Sequence, residues 1–199
     1  MKIIGITGGV GSGKSEVLNY LGQTYDACVI QADQVGYHLM QPGKSCYRPI
    51  VKLFGQQITT ETGELDRKRI ADLVFRDEKK LEELNHIVHP AVKQYIRHEI
   101  EQEREQGTSF VFVEAALLIE DKYDEICDEL WYIYTDEEIR KDRLKHSRGY
   151  SEEKIRDIMG NQLSDEEFSL HCAFEVDNSG SFEETKKQID QRMKRYEVR

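Results

Sequence analysis

Residues 8–15 read Gly8-Gly9-Val10-Gly11-Ser12-Gly13-Lys14-Ser15, a glycine-rich stretch that ends in a lysine and a serine. A short β-branched run, Lys2–Thr7, precedes it, and a helical pattern over Ser15–Leu21 follows it. Glycines allow positive φ and let the main chain approach phosphate oxygens, while successive N–H groups and a helix start form an anion cradle. The spacing G-x-x-x-x-G-K-[ST] between a strand and a helix predicts a P-loop that binds a nucleoside triphosphate.

The side chains of this loop have separate predicted roles. Lys14 carries a mobile positive charge that can reach the terminal phosphates. The Ser15 hydroxyl is placed to ligate Mg²⁺, which we predict as the metal cofactor. The residues predicted to bind the nucleotide are Gly8, Gly9, Val10, Gly11, Ser12, Gly13, Lys14, Ser15 and Glu16.

Length and composition limit the class of protein. The chain has 199 residues, 38% hydrophobic and 33% charged, which suits one globular domain with an inserted lobe. A net charge of −10 argues against nucleic acid and anionic membranes as partners. No apolar run approaches the roughly 20 residues that span a bilayer, and the apolar start of the chain is too short for a signal peptide. We therefore predict a cytoplasmic protein, with its four cysteines as reduced thiols.

Short apolar runs separated by helical patterns predict a parallel sheet in an α/β protein. After Lys2–Thr7, these predicted strands are Cys28–Ile30, Phe110–Val113, Leu130–Tyr134 and the weaker Ala173–Val176. Capping-box patterns predict helix starts at Thr135–Glu138, Ser164–Glu167 and Ser181–Glu184.

Two segments between the predicted strands are helical and too long for simple crossovers. The stretch from Asp33 to Gln106 shows helical pattern over Asp66–Phe75 and Glu78–Glu105, which Pro90 is expected to interrupt. The second segment, Arg140–Gln162, is charged and helical. We predict a core of residues 1–32, 107–139 and 163–199, an acceptor-binding helical lobe at 33–106 and a lid at 140–162.

The signatures that other P-loop classes need are missing, which favours a small kinase. The sequence lacks the Asn-Lys-x-Asp motif of GTPases and the Leu-Ser-Gly-Gly-Gln motif of transport ATPases. Asp177–Gly180 matches the Asp-x-x-Gly switch pattern but follows every predicted strand, so we treat the match as coincidence. The features that remain are those of a small kinase: a P-loop, an acceptor lobe after the second strand and arginines after the fourth.

Asp33 directly follows the second predicted strand. Ligands of parallel α/β sheets bind outside the carboxyl ends of the strands, so a carboxylate there could orient an attacking hydroxyl or take its proton. In the alternative interpretation, Asp33 only caps a helix that begins at Gln34.

Three arginines, Arg140, Arg143 and Arg148, follow the fourth predicted strand, and the first two share a helical face. Fixed guanidinium groups stabilise the charge that spreads over a transferring phosphoryl group. Alternatively, the arginines belong to a solvated face and pair with nearby acidic residues.

His86 and His89 stand three residues apart before Pro90, and we do not predict a zinc site from so few ligands. His89 is interpreted as a contact of the acceptor lobe or as a hydrogen-bonding residue at a helix boundary.

Several segments, in order along the chain, resemble the dephospho-coenzyme A kinase family, which catalyses the last step of coenzyme A synthesis. The P-loop alone is generic, whereas the His-Pro and Asp-Asn-x-Gly segments are more specific. The segments are Ile4–Ser15, Ile30–Asp33, Gln41–Gly43, Leu65–Arg67, Leu73–Phe75, Leu84–Pro90, Leu117–Glu120 and Val176–Gly180.

The resemblance implies transfer of the ATP γ-phosphate to the ribose 3′-hydroxyl of dephospho-coenzyme A. It also implies a three-layer P-loop kinase fold with a five-stranded parallel sheet and the P-loop strand in the centre. Asp33 would be the base or orienting group, and Arg67 and His89 would contact the acceptor. The residues implied for the lid are Arg140, Arg143 and Arg148, and those near adenine include Asn178 and Gly180.

The chain departs from the family pattern at a few positions. Gln31 replaces the usual first Asp, so only Asp33 remains for the acceptor, and Ala116 replaces the usual Pro. Arg148 stands one position later than the usual lid arginine, and Ile158 occupies a place where the family often has Arg.

Two other functions stay open from the sequence. One is a kinase for another small molecule, such as a nucleoside or nucleotide, and the other is a non-catalytic nucleotide-binding regulator. The oligomeric state is also open, with a monomer favoured.

Overall fold

The computed structural model describes residues 1–197 and has a five-stranded parallel sheet. The strand order is β2-β3-β1-β4-β5, so the strand before the P-loop is central, as predicted. The strands are β1 (Lys2–Thr7), β2 (Ala27–Gln31), β3 (Phe110–Glu114), β4 (Glu129–Tyr134) and β5 (Phe174–Asp177), each within two residues of its predicted bounds.

The register brings the carboxyl ends of neighbouring strands together beside the P-loop. Ile6 of β1 lies opposite Glu114 of β3, and Thr7 lies opposite Tyr132 of β4. Tyr134 of β4 lies opposite Asp177 of β5. The segments that follow β1, β4 and β5 therefore begin at one edge of the sheet, where ligands of α/β proteins bind.

The chain divides into two compact units, Met1–Val29 with Gly107–Arg199, and Ile30–Gln106. In the first unit, β1, β3 and β4 contribute aromatic and β-branched side chains to a core that α1 and the last helix cover. Val17 and Leu21 from α1 and Ile189 and Met193 from the last helix are fully buried in it. The helices of this unit are α1 (Lys14–Thr24), α6 (Glu137–Arg148), α7 (Glu152–Gly160), α8 (Asp165–His171) and α9 (Phe182–Glu197).

The second unit is helical. One long helix packs against three shorter ones and buries an apolar stripe of Val92, Ile96 and Ile100. The helices are α2 (Ala32–Leu39), α3 (Tyr47–Phe54), α4 (Arg67–Phe75) and α5 (Glu78–Gln106). The functional roles of this unit as acceptor lobe and of residues 140–162 as lid stay predictions.

The expected interruption at Pro90 is wrong. Helix α5 runs for 29 residues through this proline. The fixed φ of proline is itself helical, so the main cost is one lost hydrogen bond and crowding of the preceding turn. The buried stripe that follows Pro90 offsets this cost, because burial of each large aliphatic side chain stabilises by roughly 1.5–3 kcal/mol.

One of the three predicted capping boxes forms completely. Ser164 and Glu167 cap α8 reciprocally. At α6 the cap is Asp136, whose carboxylate accepts from the Glu138 N–H, and the prediction of Thr135 is wrong because its hydroxyl donates to main-chain carbonyls instead. At α9 the Glu184 carboxylate accepts from the Ser181 N–H and also from its hydroxyl.

None of the four cysteines, which all lie in the described part of the chain, is joined in a disulfide, and Cys46 and Cys127 are buried. Among the residues described, no helix has the length and apolar character that a membrane span requires.

Candidate active site

The P-loop has the backbone that its glycines permit. Gly8, Gly11 and Gly13 have φ of 146°, 85° and 87°. Gly13 precedes the first residue of α1, Lys14, and has no side chain with which to cap the helix. The amide groups at a helix start have no intrahelical acceptor and carry the positive end of the dipole. The loop and α1 therefore form the anion cradle that the sequence predicts.

The Lys14 ammonium lies against the loop. It donates hydrogen bonds to the carbonyl oxygens of Gly8, at 2.6 Å, and Gly9, at 3.2 Å. These contacts place a positive charge beside the main chain of the cradle, where it can meet the terminal phosphates of a nucleotide.

The carbonyl oxygen of Ser12 is fixed by side chains that follow β4 and β5. It accepts from the Asn178 amide at 2.7 Å and from the Thr135 hydroxyl at 3.0 Å. The Asn178 amide oxygen in turn accepts from the Thr185 hydroxyl at 2.8 Å. Asn178 is buried, so it supports the P-loop directly; its predicted place near adenine, with that of Gly180, stays a prediction.

Two of the three predicted arginines contact the P-loop region. The Arg143 guanidinium donates to the carbonyl of Asn178 at 2.9 Å. Arg140 is only 6% exposed and donates through Nε to the Val10 carbonyl at 3.2 Å. A Cβ at Gly9 would lie 2.1 Å from Arg140 Nη2, so a side chain there would displace the guanidinium from its present place. The solvated-face alternative is therefore wrong for Arg140.

Arg148 makes its contacts elsewhere. It ends α6, is exposed, and its guanidinium lies 6.0 Å from the ring centroid of Tyr150. A hydrogen bond from Arg148 and the charge of Lys154 lower the pKa of Tyr150. The role of Arg148 in the lid stays a prediction.

Asp33 lies in the first turn of α2, immediately after β2, and its side chain is exposed. The helix begins at Ala32 and its cap is Gln31, so the alternative that Asp33 caps a helix starting at Gln34 is wrong. The positive end of the helix dipole stabilises a carboxylate in this turn. Because the side chain is exposed to solvent, it is accessible to a substrate.

Within the helical unit, the structure brings Arg67 to α2. The Arg67 guanidinium lies 5.0 Å from the ring centroid of Tyr37, one turn after Asp33 on the same helix. His89 is half-buried inside α5, so the interpretation of His89 at a helix boundary is wrong. Its contact with an acceptor stays a prediction.

Ser15 is the metal ligand that the sequence predicts. Among the residues described, no cluster of three or more His, Cys, Asp or Glu side chains is arranged to hold a metal. Ser15, the second residue of α1, is exposed and offers a hydroxyl oxygen beside the cradle. One protein oxygen with phosphate oxygens suits Mg²⁺, which keeps most of its waters.

Two residues of this region were not among the predicted site residues. Glu114 ends β3 opposite Ile6, so this acidic residue stands at the sheet edge where the P-loop begins. The signal that pointed to Asp33, an acidic residue directly after an apolar strand, applies equally to Glu114. Gln162 accepts a hydrogen bond from the Val10 N–H at 3.1 Å, and no local pattern could have indicated this contact across 152 residues.

Comparisons with known proteins agree with this geometry. The sequence profile of the family described as Dephospho-CoA kinase matches residues 2–184. A dephospho-CoA kinase of Aquifex aeolicus is 38% identical over 189 residues, 95% of this chain and 94% of that protein. One of Carboxydothermus hydrogenoformans is 35% identical over 189 residues, 95% of this chain and 91% of that protein.

Solved structures also match over nearly the whole chain. TT1252 from Thermus thermophilus has a TM-score of 0.82 at 27% identity, covering 98% of this chain and 97% of that one. A dephospho-CoA kinase from Campylobacter jejuni has a TM-score of 0.72 at 20% identity, covering 98% and 96%, and shows the fold alone.

Proposed function

This chain belongs to the dephospho-CoA kinase family, and we propose that it transfers the γ-phosphate of ATP to the ribose 3′-hydroxyl of dephospho-coenzyme A, the final step of coenzyme A synthesis. The observation that carries the proposal is the P-loop at the carboxyl end of the central strand, with Lys14 lying on its carbonyls and α1 beginning at its end. A net charge of −10 suits a small-molecule acceptor better than a nucleic acid or an anionic membrane. We propose that the protein is a cytoplasmic monomer.

The P-loop binds the triphosphate. Amides at the start of α1 and the Lys14 ammonium contact the phosphate oxygens and stabilise the charge that develops on them in transfer. Ser15 would hold Mg²⁺, which neutralises charge on the phosphate oxygens when bound. Because Asn178 and Thr135 fix the Ser12 carbonyl, this loop is preorganised before the nucleotide arrives.

The acceptor side relies on the helical unit. Asp33 orients the 3′-hydroxyl and accepts its proton as the oxygen attacks the γ-phosphorus. Arg67, whose guanidinium lies 5.0 Å from the Tyr37 ring centroid, presents N–H groups to an anionic part of the acceptor. His89 supplies a further contact from α5.

The arginines of α6 stabilise the transferring group. Arg140 is buried against Val10, and Arg143 is joined to Asn178, so both guanidinium groups are fixed near the loop before reaction. Fixed positive charge lowers the barrier because no reorganisation is needed as charge develops. Arg148 and the rest of residues 140–162 act as the lid that excludes water.

A coupled assay of ADP release with a panel of acceptors tests the function. We expect turnover with dephospho-coenzyme A and none with nucleosides or nucleoside monophosphates. Turnover with a nucleoside monophosphate alone would identify a different small-molecule kinase. Binding of ATP without transfer to any acceptor would identify a regulatory protein.

A further inference from the structure

Gln162 joins two parts of the nucleotide site. It lies in the connection between α7, which ends at Gly160, and α8. Its amide oxygen accepts from the Val10 N–H at 3.1 Å and from Arg140 Nη2 at 2.9 Å. One neutral oxygen therefore bridges the P-loop main chain and a buried guanidinium.

Arg140 binds the second main-chain polar group of Val10. While the Val10 N–H donates to Gln162, the Val10 carbonyl accepts from Arg140 Nε at 3.2 Å. The same guanidinium covers Gly9 so closely that a Cβ there would lie 2.1 Å from Nη2 and displace it. The third residue of the P-loop is thus held through both of its main-chain polar groups.

A second contact fixes the orientation of Arg140. Asp165 accepts a hydrogen bond from the Tyr132 hydroxyl at 2.5 Å, and Arg140 Nη1 lies 3.9 Å from the same carboxylate oxygen. Burial raises the pKa of Tyr132, so its hydroxyl keeps the proton that it donates. Asp165 is about half exposed, so it screens the Arg140 charge only in part.

We infer that Gln162 is a positioning residue for the nucleotide, which orients Arg140 and Val10 while leaving the charge of Arg140 available to phosphate. The inference rests on the proposed function. An amide oxygen supplies the same two hydrogen bonds as a carboxylate would, but it does not cancel the positive charge of the guanidinium. A neutral side chain at position 162 therefore increases the affinity for the phosphates of the nucleotide. A carboxylate at the same position would contribute only to the stability of the fold.

The substitution Gln162→Glu separates the two roles. It keeps both acceptor contacts and the side-chain length but pairs Arg140 with a negative charge. We expect the Tm to stay at or above the wild-type value, while the Kd for a non-hydrolysable ATP analogue rises by roughly tenfold or more. The KM for dephospho-coenzyme A should stay near wild type. Calorimetric titration gives the Kd, and a thermal melt gives the Tm.

The matched control is Asn161→Asp, which adds the same charge one residue away. The Asn161 side chain donates to the Asp157 carbonyl within α7, at 2.8 Å. We expect it to bind the ATP analogue as wild type does. Wild-type affinity in Gln162→Glu, or an equal loss in both variants, would overturn the inference.

The apolar variant Gln162→Met keeps the inference testable if the charged variant fails to fold. It removes the acceptor from Val10 and Arg140, so we expect weaker ATP binding with the acceptor KM unchanged. An unchanged Kd would contradict the inference. If the wild type transfers phosphate to no dephospho-coenzyme A, the proposed function fails, whereas the ATP titrations still decide the role of Gln162.

Discussion

The charge on Lys14 is the single side-chain feature on which catalysis should depend most. Its ammonium donates to the carbonyls of Gly8 and Gly9, which places it at the phosphate cradle before a nucleotide binds. We expect Lys14→Ala to cost about 3–4 kcal/mol of transition-state stabilisation, like the loss of one preorganised donor. Steady-state kinetics measure the effect through kcat.

The control for this variant is Lys187→Ala, an exposed lysine on α9. It should change kcat little, because exposed surface charges are largely solvated. Comparable losses in the two variants would mean that Lys14 acts through net charge and not through its place in the loop.

Asp33 should separate transfer from nucleotide binding. Asp33→Asn keeps the size of the side chain but removes the proton acceptor, so we expect transfer to be abolished while ATP affinity stays near wild type. The control is Asp72→Asn, an exposed acid on α4 in the same helical unit. Loss of ATP affinity together with turnover in Asp33→Asn would instead indicate a structural role.

The sequence predicted those site residues whose role depends on neighbouring residues in the chain. The P-loop glycines and Lys14 follow from a contiguous motif with its strand and helix. The support of that loop could not be predicted, because Asn178 reaches Ser12 across 166 residues and Arg140 reaches Val10 across 130. Arg140 lies in a charged segment whose sequence is typical of a solvent-exposed helix face, and its burial depends on the tertiary fold.

At the scale of an element, α9 is tied to the start of β4 through Glu129. This carboxylate accepts from Trp131 Nε1 at 2.7 Å, from Arg192 Nη2 at 3.2 Å and from the Tyr196 hydroxyl. Burial raises the pKa of Glu129, but these hydrogen bonds outweigh it, so the net pKa lies below its ordinary value of 4.5.

This lowered pKa makes the stability of the fold pH-dependent. The contribution of Glu129 is present above pH 4.5 and is lost as the pH falls through the lower folded-state pKa. We expect Glu129→Gln to reduce the free energy of unfolding by roughly 2 kcal/mol at neutral pH, and by progressively less in acid. Urea denaturation from pH 7 to 3 measures the difference.

A suitable control is Glu183→Gln on α9, whose carboxylate pairs with Lys186 and is exposed. It should change the free energy of unfolding by less than about 0.5 kcal/mol. A gap between wild type and Glu129→Gln that does not narrow in acid would show that the network contributes through packing and not through the charge of Glu129.

The bounds of the strands could be predicted from the pattern of apolar residues, whereas the predictions for Pro90 and Thr135 were wrong for reasons of tertiary contact. All five strands were predicted because apolar β-branched runs alternate with helical segments. Pro90 did not end α5, because tertiary packing of the residues after it outweighs one lost hydrogen bond. Thr135 did not cap α6 because its hydroxyl is recruited by the Ser12 carbonyl, a contact that depends on the assembled sheet.

At the scale of the whole molecule, the thiols report on unfolding. Burial, with nearby carboxylates, raises the pKa of Cys127 and of Cys172 to about 12, and burial also raises the pKa of Cys46. Because the thiolate is the nucleophile, at pH 8 these three cysteines should react with a disulfide reagent mainly when the native fold opens. We expect slow labelling of these three thiols in the native protein and rapid labelling of all four in urea.

Binding of ATP should slow this labelling, because a ligand that binds only the native state lowers the population of unfolded chains. At a concentration of 100 times the Kd, the stabilisation is about 2.7 kcal/mol, which corresponds to a roughly hundredfold lower rate for a thiol exposed by global unfolding. Lys14→Ala should lose this protection because its phosphate site lacks the ammonium. A rate that ATP does not change would mean that these thiols react through local openings away from the nucleotide site, while protection that persists in Lys14→Ala would mean that the main-chain amides alone hold the triphosphate.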